Sequence, residues 1–419
     1  MPVRSLAILS LHTSPLAQPG SGDGGGMNVY VRSLASGLAR AGVACDVYTR
    51  SEDPDQPRMV VLEPNFRVLH VEAGPEKPVL KERLPELVEE FTVAMLDGIR
   101  KRGRHYDALH ANYWLSGQVA HALKHELGLP MVATFHTLAR VKETADALIL
   151  DGPGAADDPA VDLEARARSE AEIMRCADLI LASTTEEVDQ LVHLYGADAD
   201  RVEILPPGVD RRVFCPGAKE AARAALGHPG TRVLLFVGRI QPLKGLDLAV
   251  RTMAEIDDAT LWVVGGPSGP DGESDMAKVQ RLAEQLGIAG RVVFLPPQPH
   301  HQLADYYRAA DVCLVPSLTE SFGLVALEAA ACATPVVASA VGGLRSIVVD
   351  GWTGFLVEDR DPLDWATPVT LLLDDADLAT DMGTRAAAHS RQWSWCMTAA
   401  RLRRLVGDLV KRTPLVECS

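Results

Sequence analysis

Three loops of the sequence combine glycine with charged residues in patterns that suit a phosphorylated or sugar ligand. The first, residues 20–26, has five glycines in seven positions directly before a helical apolar pattern that starts at Met27. Glycines allow the backbone to approach a ligand closely, and a helix N-terminus offers N–H groups to an anion. Gly20, Gly22 and Gly25 also have the spacing of a dinucleotide-binding loop, but that motif begins directly after a strand, and here residues 12–19 intervene. We therefore favour anion or sugar binding, with an unliganded surface loop as the alternative.

The second loop, residues 238–245, places Arg239 and Lys244 between an apolar strand and the start of a predicted helix. Two fixed cations at this position suit a pyrophosphate, whose charge grows as it departs as a leaving group. Exposed arginine and lysine side chains are common on protein surfaces. A pair of solvated charges is therefore the alternative.

The third loop carries Glu320, and Glu328 lies in the apolar helix that follows it. A carboxylate among valine, alanine and leucine needs a partner, because burying it unpaired is costly. Ligand hydroxyls would serve as partners, and a structural salt bridge is the alternative for Glu328. His136 follows the apolar strand 132–135. Ligands bind beyond the carboxyl ends of such strands, which favours a functional over a purely structural histidine.

Strand and helix patterns alternate along two halves of the chain, and they would position these loops. Residues 6–11 form an apolar run, a helical pattern follows from Met27, and residues 43–49 form the next apolar run. This βαβ order indicates a parallel sheet with a right-handed crossover. The alternation restarts at residues 233–237.

We therefore predict an α/β protein with two doubly wound, Rossmann-like domains that face a cleft. The length of 419 residues fits two to three domains. Residues 1–212 would form the N-terminal domain and residues 213–394 the C-terminal domain. Residues 395–419 contain a basic amphipathic pattern, and we expect that helix to pack back on the N-terminal domain.

Composition excludes several other classes of protein. The net charge of −15 argues against binding to nucleic acid and against an anionic membrane surface. Residues 323–344 are apolar enough to suggest a membrane span, but Glu328 and Pro335 interrupt them, so a buried helix followed by a buried strand is expected. Seven scattered cysteines without a C-x-x-C pair predict no disulfide framework and suit a reducing cytosol. No targeting segment is evident, and we predict a soluble cytoplasmic protein.

The three loops together resemble the retaining GT-B glycosyltransferases of family four. Those enzymes combine a glycine-rich N-terminal loop, a G-R-x-x-x-x-K-G segment and two glutamates with seven residues between them. Residues 24–26, residues 238–245 and the pair Glu320 and Glu328 correspond to these features. The resemblance covers nearly the whole chain through residues 12–16, 21–30, 113–117, 135–138 and 321–327.

Within the family, these segments look like members that transfer N-acetylglucosamine from UDP-GlcNAc to 1D-myo-inositol 3-phosphate in mycothiol biosynthesis, with retention of configuration. The resemblance implies that no cofactor is essential for catalysis and leaves a homodimer open. It implies catalytic roles for His136, Arg239, Lys244 and Glu320. It implies donor contacts from His12, Ser14, Gly26, Arg239, Lys244, Gln298, Glu320 and Glu328.

The same resemblance assigns the acceptor and a metal. It implies acceptor contacts from Asp23, Gly24, Gly25, Gly26, Met27, Asn28, Lys81, Tyr113, Thr137 and Arg166. Two cations and two hydroxyls among them suit one phosphate, although Lys81 and Arg166 also lie in charge-rich stretches typical of solvated surfaces. It implies a structural Mg²⁺ held through main-chain groups near Tyr307, Arg308, Ala310 and Thr334.

Two departures from the family pattern bear on the substrates. Gln298 replaces an arginine that is usual in the uracil loop, and residues 146–162 are longer than expected before Arg166. A related glycosyltransferase with another donor or with a sugar-phosphate, thiol or antibiotic acceptor is therefore an alternative. An NAD-dependent oxidoreductase and a non-catalytic sugar receptor are more distant alternatives.

Overall fold

The computed structural model describes residues 3–20, 22, 24–150, 163–227, 232–268, 272–412 and 415–417. The chain divides into two compact units. The first comprises Met1–Ala17, Met27–Pro206 and Trp395–Ser419, and the second comprises Gln18–Gly26 and Pro207–Ser394.

The first unit is built on an eight-stranded sheet with the order β3-β4-β2-β1-β5-β6-β7-β8. Every neighbouring pair is parallel except β3 and β4. The central strands are buried along their length because helices cover the sheet, which explains their uniformly apolar sequences. The strands are β1 (Ser5–Leu9), β2 (Ala44–Arg50), β3 (Met59–Glu63), β4 (Phe66–Val71), β5 (Ala108–Asn112), β6 (Met131–Thr134), β7 (Leu179–Ala182) and β8 (Val202–Ile204).

Local sequence sets the ends of the helices in this unit. The Thr184 side chain accepts a hydrogen bond from the Glu187 backbone N–H and begins one helix, and left-handed Gly196 (φ 70°) ends it. The helices are α1 (Gly26–Arg40), α2 (Val88–Lys101), α3 (Trp114–Leu127), α4 (Ala139–Leu150), α5 (Leu163–Cys176), α6 (Thr185–Tyr195) and, from the C-terminal part of the chain, α15 (Trp395–Leu409).

The second unit has a six-stranded parallel sheet with the order β11-β10-β9-β12-β13-β14. Its strands are β9 (Val233–Val237), β10 (Thr260–Val264), β11 (Val292–Leu295), β12 (Val312–Val315), β13 (Val336–Ser339) and β14 (Gly354–Val357). Its helices are α7 (Lys219–Leu226), α8 (Leu246–Ala254), α9 (Gly272–Gln285), α10 (Leu303–Ala309), α11 (Leu324–Ala331), α12 (Leu344–Ile347), α13 (Pro362–Asp374) and α14 (Ala376–His389). Both sheets are therefore of the doubly wound class predicted from the alternation of patterns.

The boundaries of the units differ from the predicted domains 1–212 and 213–394. Residues 207–212 belong to the second unit, where the Val209 backbone N–H donates to the Trp393 carbonyl. Residues 18–26 also group with the second unit, because Gly20 O accepts from the Gly266 N–H. Helix α15 belongs to the first unit, where Trp395 packs edge-on against Tyr30 with 5.7 Å between the ring centroids.

Two other expectations have clear outcomes. The apolar segment 323–344 is the buried helix α11 followed by the buried strand β13, as predicted. Across the described residues, each helix is too short or too polar to cross a membrane. No disulfide framework was expected, and Cys45, Cys215, Cys313, Cys332 and Cys396 are free thiols. Cys176 is disulfide-bonded, which the scattered cysteine spacing did not predict.

Candidate active site

In the first unit, two cations lie over the ring of Tyr113. The Lys81 Nζ atom is 5.2 Å and the Arg166 Cζ atom 4.9 Å from the ring centroid. Tyr113 follows β5 directly and precedes α3, with a φ of 76° that a non-glycine residue rarely adopts. Strained backbone of this kind is typical of functional sites. The fold thus brings together three of the residues expected at the acceptor.

Arg166 is held rigidly in this cluster. Its guanidinium donates through Nε to Glu170 Oε1 at 2.8 Å, and through Nη2 to the Thr137 carbonyl at 2.8 Å and hydroxyl at 3.0 Å. The residue is only 5% exposed. Interpreting Arg166 as a solvated surface charge is therefore wrong. Lys81 lies on the 3₁₀ turn Lys81–Leu87 and is partly exposed.

Glu170 is a residue of this site that sequence reasoning missed. It is fully buried and accepts hydrogen bonds from Arg166, from the Ala139 backbone N–H at 2.9 Å and from the Tyr195 hydroxyl at 2.5 Å. It balances the buried guanidinium and fixes its direction. The only available sequence signal was the i,i+4 spacing of Arg166 and Glu170 on a helix.

Lys81 adds a positive charge beside the balanced pair of Arg166 and Glu170. Burial by itself would raise the pKa of Tyr113, but the charges of Lys81 and Arg166 outweigh burial and lower that pKa. The ring of His12 lies beside Tyr113, with 4.3 Å between the centroids. In a protein of net charge −15, a pocket with two cations and two hydroxyl groups is a specific feature suited to a phosphate.

His136 lies beyond the carboxyl end of β6 and has a φ of 63°. Its Nε2–H donates to Asn112 Oδ1 at 3.0 Å, since a carboxamide oxygen only accepts. Burial and then the nearby His110 lower the pKa of His136 to about 3. The imidazole is therefore neutral at physiological pH.

The N-terminal loop has an ordered polar frame around Asn28. The Asn28 Nδ2 atom donates to Thr13 Oγ1 at 2.7 Å and to the Ser14 carbonyl at 2.6 Å. Asn28 lies in the first turn of α1, which starts at Gly26 and also includes Met27. Asp23 lies outside the described residues, as do residues 151–162 of the atypical segment before Arg166. Gly24 accepts a hydrogen bond from the Gly20 N–H through its carbonyl oxygen.

In the second unit, the cations of the second loop lie beside acidic and backbone groups. Lys244 Nζ is 2.6 Å from Glu320 Oε2, so the fold joins the second and third loops in one ion pair. Arg239 Nη1 donates to the Ser268 hydroxyl at 3.3 Å. A Cβ atom on Gly25 would lie 3.2 Å from Arg239 Nε. Glycine at position 25 therefore lets the first loop lie directly against this arginine.

Glu328 is buried and has protein partners on both of its carboxylate oxygens. The His300 Nε2 atom is 2.6 Å from Oε1, and the Tyr307 hydroxyl donates to Oε2 at 2.9 Å. Burial, followed by the charge of Glu328, raises the pKa of Tyr307 well above its ordinary value. The partner that a buried carboxylate requires is thus supplied by the protein. Each oxygen keeps a further acceptor position for a ligand hydroxyl.

The remaining donor and metal candidates also lie in the second unit. The Gln298 backbone carbonyl accepts from Gln18 Nε2, and its side chain donates to the Pro296 carbonyl at 2.8 Å. The Thr334 hydroxyl donates a hydrogen bond to the Tyr307 carbonyl oxygen at 2.6 Å. The Mg²⁺ ion expected near these residues stays a prediction. Arg308 directs its guanidinium to the carbonyls of Val213 and Cys215, and Ala310 N–H binds the carbonyls of Tyr306 and Tyr307.

Two doubly wound units, one with a cluster of charged residues at Tyr113 and one with paired charges beyond its strands, place the protein in the GT-B class of glycosyltransferase. Family models agree with this division. Residues 25–208 match "Glycosyl transferase 4-like domain", and residues 218–389 match "Glycosyl transferases group 1".

Curated relatives cover almost the whole chain. D-inositol 3-phosphate glycosyltransferase 2 of Catenulispora acidiphila is 46% identical, over 95% of this chain and 93% of the relative. D-inositol 3-phosphate glycosyltransferase of Corynebacterium glutamicum is 42% identical, over 97% of both chains. The chain therefore belongs to the D-inositol 3-phosphate glycosyltransferase family of GT-B enzymes.

Solved structures share the fold. Sucrose-phosphate synthase from Thermosynechococcus elongatus superimposes with a TM-score of 0.88 at 33% identity, over 97% of this chain and 99% of that chain. Anabaena HepE in complex with UDP and glucose gives a TM-score of 0.76 at 18% identity, over 97% and 100% of the chains. At 18% identity this second likeness shows the fold alone.

Proposed function

We propose that this enzyme transfers N-acetylglucosamine from UDP-GlcNAc to 1D-myo-inositol 3-phosphate with retention of configuration. The curated relatives carry the name of this activity at 42–46% identity. The observation in the structure that carries the proposal is the placement of Lys81 and Arg166 over Tyr113. This arrangement gives the acceptor phosphate two cations, and a phosphate is what separates this acceptor from a neutral polyol.

The donor would be held in the second unit. Arg239 and Lys244 would bind the diphosphate and stabilise the negative charge that develops on it as the sugar departs. Helix α8 starts directly after Gly245, and its N-terminus adds a positive dipole end to the same loop. Glu328 would bind the ribose hydroxyls, and Glu320 the sugar hydroxyls.

The ion pair of Lys244 and Glu320 bears on the mechanism. A carboxylate neutralised at 2.6 Å by an ammonium group is a poor nucleophile, which argues against a covalent glycosyl-enzyme. We infer that the acceptor hydroxyl attacks the anomeric carbon from the side on which UDP leaves, and that the leaving phosphate takes the hydroxyl proton. The carbon–oxygen bond to UDP breaks and the bond to inositol forms on the same face of the sugar, so the configuration is retained.

The first unit would orient the acceptor for this attack. Lys81, Arg166, Tyr113 and Thr137 would hold the phosphate, so that binding energy far from the reacting hydroxyl fixes its position. His136 is neutral, because burial lowers its pKa to about 3, and would contact the transferred sugar through hydrogen bonds rather than as an acid. A Mg²⁺ ion at Tyr307 and Thr334 would bind oxygen ligands and have a structural role only.

The experiment that tests this function is UDP release on mixing UDP-GlcNAc with 1D-myo-inositol 3-phosphate. We expect UDP to form in a one-to-one ratio with a GlcNAc-inositol phosphate, whose anomeric proton shows the α configuration of the donor by NMR. Parallel reactions with other nucleotide sugars and with sugar-phosphate and thiol acceptors identify a related transferase instead. UDP release that does not depend on inositol phosphate would contradict the proposal.

A further inference from the structure

We propose that His121, His125 and Cys176 form a site for a divalent transition-metal ion of the Zn²⁺ type in the thiol-reduced enzyme. One ligand atom from each residue lies within 4.8 Å of the other two. Imidazole nitrogen and thiolate sulfur are the ligands that Zn²⁺ prefers. The site has no part in the proposed transfer reaction.

The secondary structure around these residues makes a compact ligand set. His121 and His125 are one helical turn apart on α3, so they face the same side, and their ring centroids are 5.3 Å apart. Cys176 is the last residue of α5 and is fully buried. The helices therefore contribute two ligands from one side and one ligand from the other.

The distance between sulfur and nitrogen fits a shared ion. Cys176 Sγ is 3.7 Å from His125 Nε2. Zinc bonds of about 2.3 Å to sulfur and about 2.0 Å to nitrogen, at a tetrahedral angle, separate the two ligand atoms by about 3.6 Å. The two atoms thus already have the spacing of neighbouring ligands.

The charges around the cluster are compatible with a cation. Glu172 Oε1 is 4.0 Å from His121 Nδ1, where a carboxylate can orient a metal-bound imidazole. The nearby cation Lys124 is neutralised by Asp178 at 2.8 Å, and its Nζ also donates to the Cys176 carbonyl. The nearest lysine charge is therefore compensated without the metal.

The disulfide bond of Cys176 would make the site sensitive to thiol redox state. A disulfide sulfur cannot act as a thiolate ligand. Two molecules of a low-molecular-weight thiol would reduce the bond, forming their own disulfide and leaving two protein thiols. Zn²⁺ would then bind the Cys176 sulfur with loss of its proton, while each imidazole would give a nitrogen lone pair.

The site lies away from the acceptor residues. His121 is eight residues beyond Tyr113, about 12 Å along the axis of the helix that Tyr113 precedes. Helix α3 begins directly after Tyr113, and helix α5 carries Arg166. An ion here would tie together the two helices that position the proposed acceptor pocket, and its role would be structural.

The test is a Co²⁺ titration of the full-length enzyme after reduction and anaerobic removal of the reductant. We expect one Co²⁺ per chain with a thiolate-to-cobalt charge-transfer band that Zn²⁺ abolishes. Cys176→Ser should lose the band. Loss of an outer-shell partner weakens metal binding by about 10–100-fold. The double variant His121→Ala/His125→Ala should weaken Co²⁺ binding by more than that. The oxidised enzyme should show no band.

Matched variants control for nonspecific binding. Cys396→Ser removes an exposed free cysteine, and His193→Ala removes a histidine of another helix; both should bind Co²⁺ like the unmodified enzyme. Absence of the band in the reduced enzyme, or its persistence in the double-histidine variant, would overturn the proposal. Because the histidine variant leaves the buried sulfur in place, the test does not depend on whether Cys176→Ser folds. None of these readouts depends on transferase activity.

Discussion

Lys244 and Glu320 form an ion pair, with 2.6 Å between Nζ and Oε2, although 76 residues separate them in the chain. The pair joins the loop after β9 to the loop after β12, two strands that are neighbours in the sheet. It keeps the lysine ammonium in a fixed position before any ligand binds. A preorganised cation of this kind costs little reorganisation when charge develops on a leaving group.

Lys244→Ala should therefore lower kcat by about 10²–10³, the usual effect of removing one group that stabilises transition-state charge. Steady-state UDP release with saturating substrates measures this. Lys278→Ala is the matched control, since Lys278 is an exposed lysine of the same unit that pairs with Asp275 in its own helix turn. Near-normal turnover of Lys244→Ala would remove Lys244 from the catalytic assignment.

Glu170→Gln should impair acceptor binding without touching the donor loops. Removing one partner of a buried ion pair typically costs about 3–5 kcal/mol, and glutamine keeps part of the hydrogen bonding, so we expect the lower end. The KM for inositol phosphate should rise because Arg166 loses its fixed direction, while UDP binding stays unchanged. Denaturant unfolding, steady-state kinetics with varied inositol phosphate and calorimetric UDP titration provide the three readouts.

Glu164→Gln is the control for that variant, because Glu164 is an exposed carboxylate of the same helix. It should leave both stability and KM unchanged. If Glu170→Gln loses stability but keeps the KM of the unmodified enzyme, Glu170 has a structural role and does not orient Arg166 for the acceptor.

Buried histidines should make stability depend on pH. Burial lowers the pKa of His110 to about 4, so unfolding adds a proton to this residue between pH 6.5 and 4. The contribution of His110 to the free energy of unfolding is therefore complete above pH 6.5. It falls by about 1.4 kcal/mol for each pH unit below 6.5. Burial raises the pKa of Glu187 to about 7, which gives the opposite slope, because that group favours the folded state as pH falls from 7.

His110→Gln isolates the contribution of His110 from those of His136 and Glu187. Urea unfolding at pH 7.5 and pH 5.5 should show a smaller loss of stability in the variant, by about 1.4 kcal/mol, than in the unmodified enzyme. The same pH difference in both proteins would show that His110 is protonated in the folded state.

Sequence patterns predicted the doubly wound sheets because helical and apolar-strand periodicities are local properties. They also singled out Arg239, Lys244 and Glu320 in loops beyond apolar strands, and Glu328 within an apolar helix, as candidate site residues. Their roles stay predictions. The antiparallel strand β3 was not foreseen, because its apolar run is only four residues long, its residues are exposed or partly buried, and its pairing with β4 is set by the fold.

The cluster around Tyr113, proposed above as the acceptor site, is assembled only by the fold. Lys81, Tyr113 and Arg166 are far apart in the chain, and the strand order that brings them together depends on long-range packing. Glu170 was overlooked because an i,i+4 Arg–Glu pair is typical of solvated helices. Its burial, which gives it importance, is a tertiary property.

The central claim is that the pocket at Tyr113 recognises a phosphate, and kcat/KM for 1D-myo-inositol 3-phosphate against free myo-inositol tests it most directly. We predict a strong preference for the phosphate in the unmodified enzyme. Arg166→Ala should lower kcat/KM for the phosphate by about 10- to 150-fold, the equivalent of about 1.5–3 kcal/mol for one charged hydrogen bond. It should leave UDP binding intact, and Arg168→Ala, exposed on the same helix, should behave like the unmodified enzyme. Equal kcat/KM for the two acceptors in the unmodified enzyme would contradict the account.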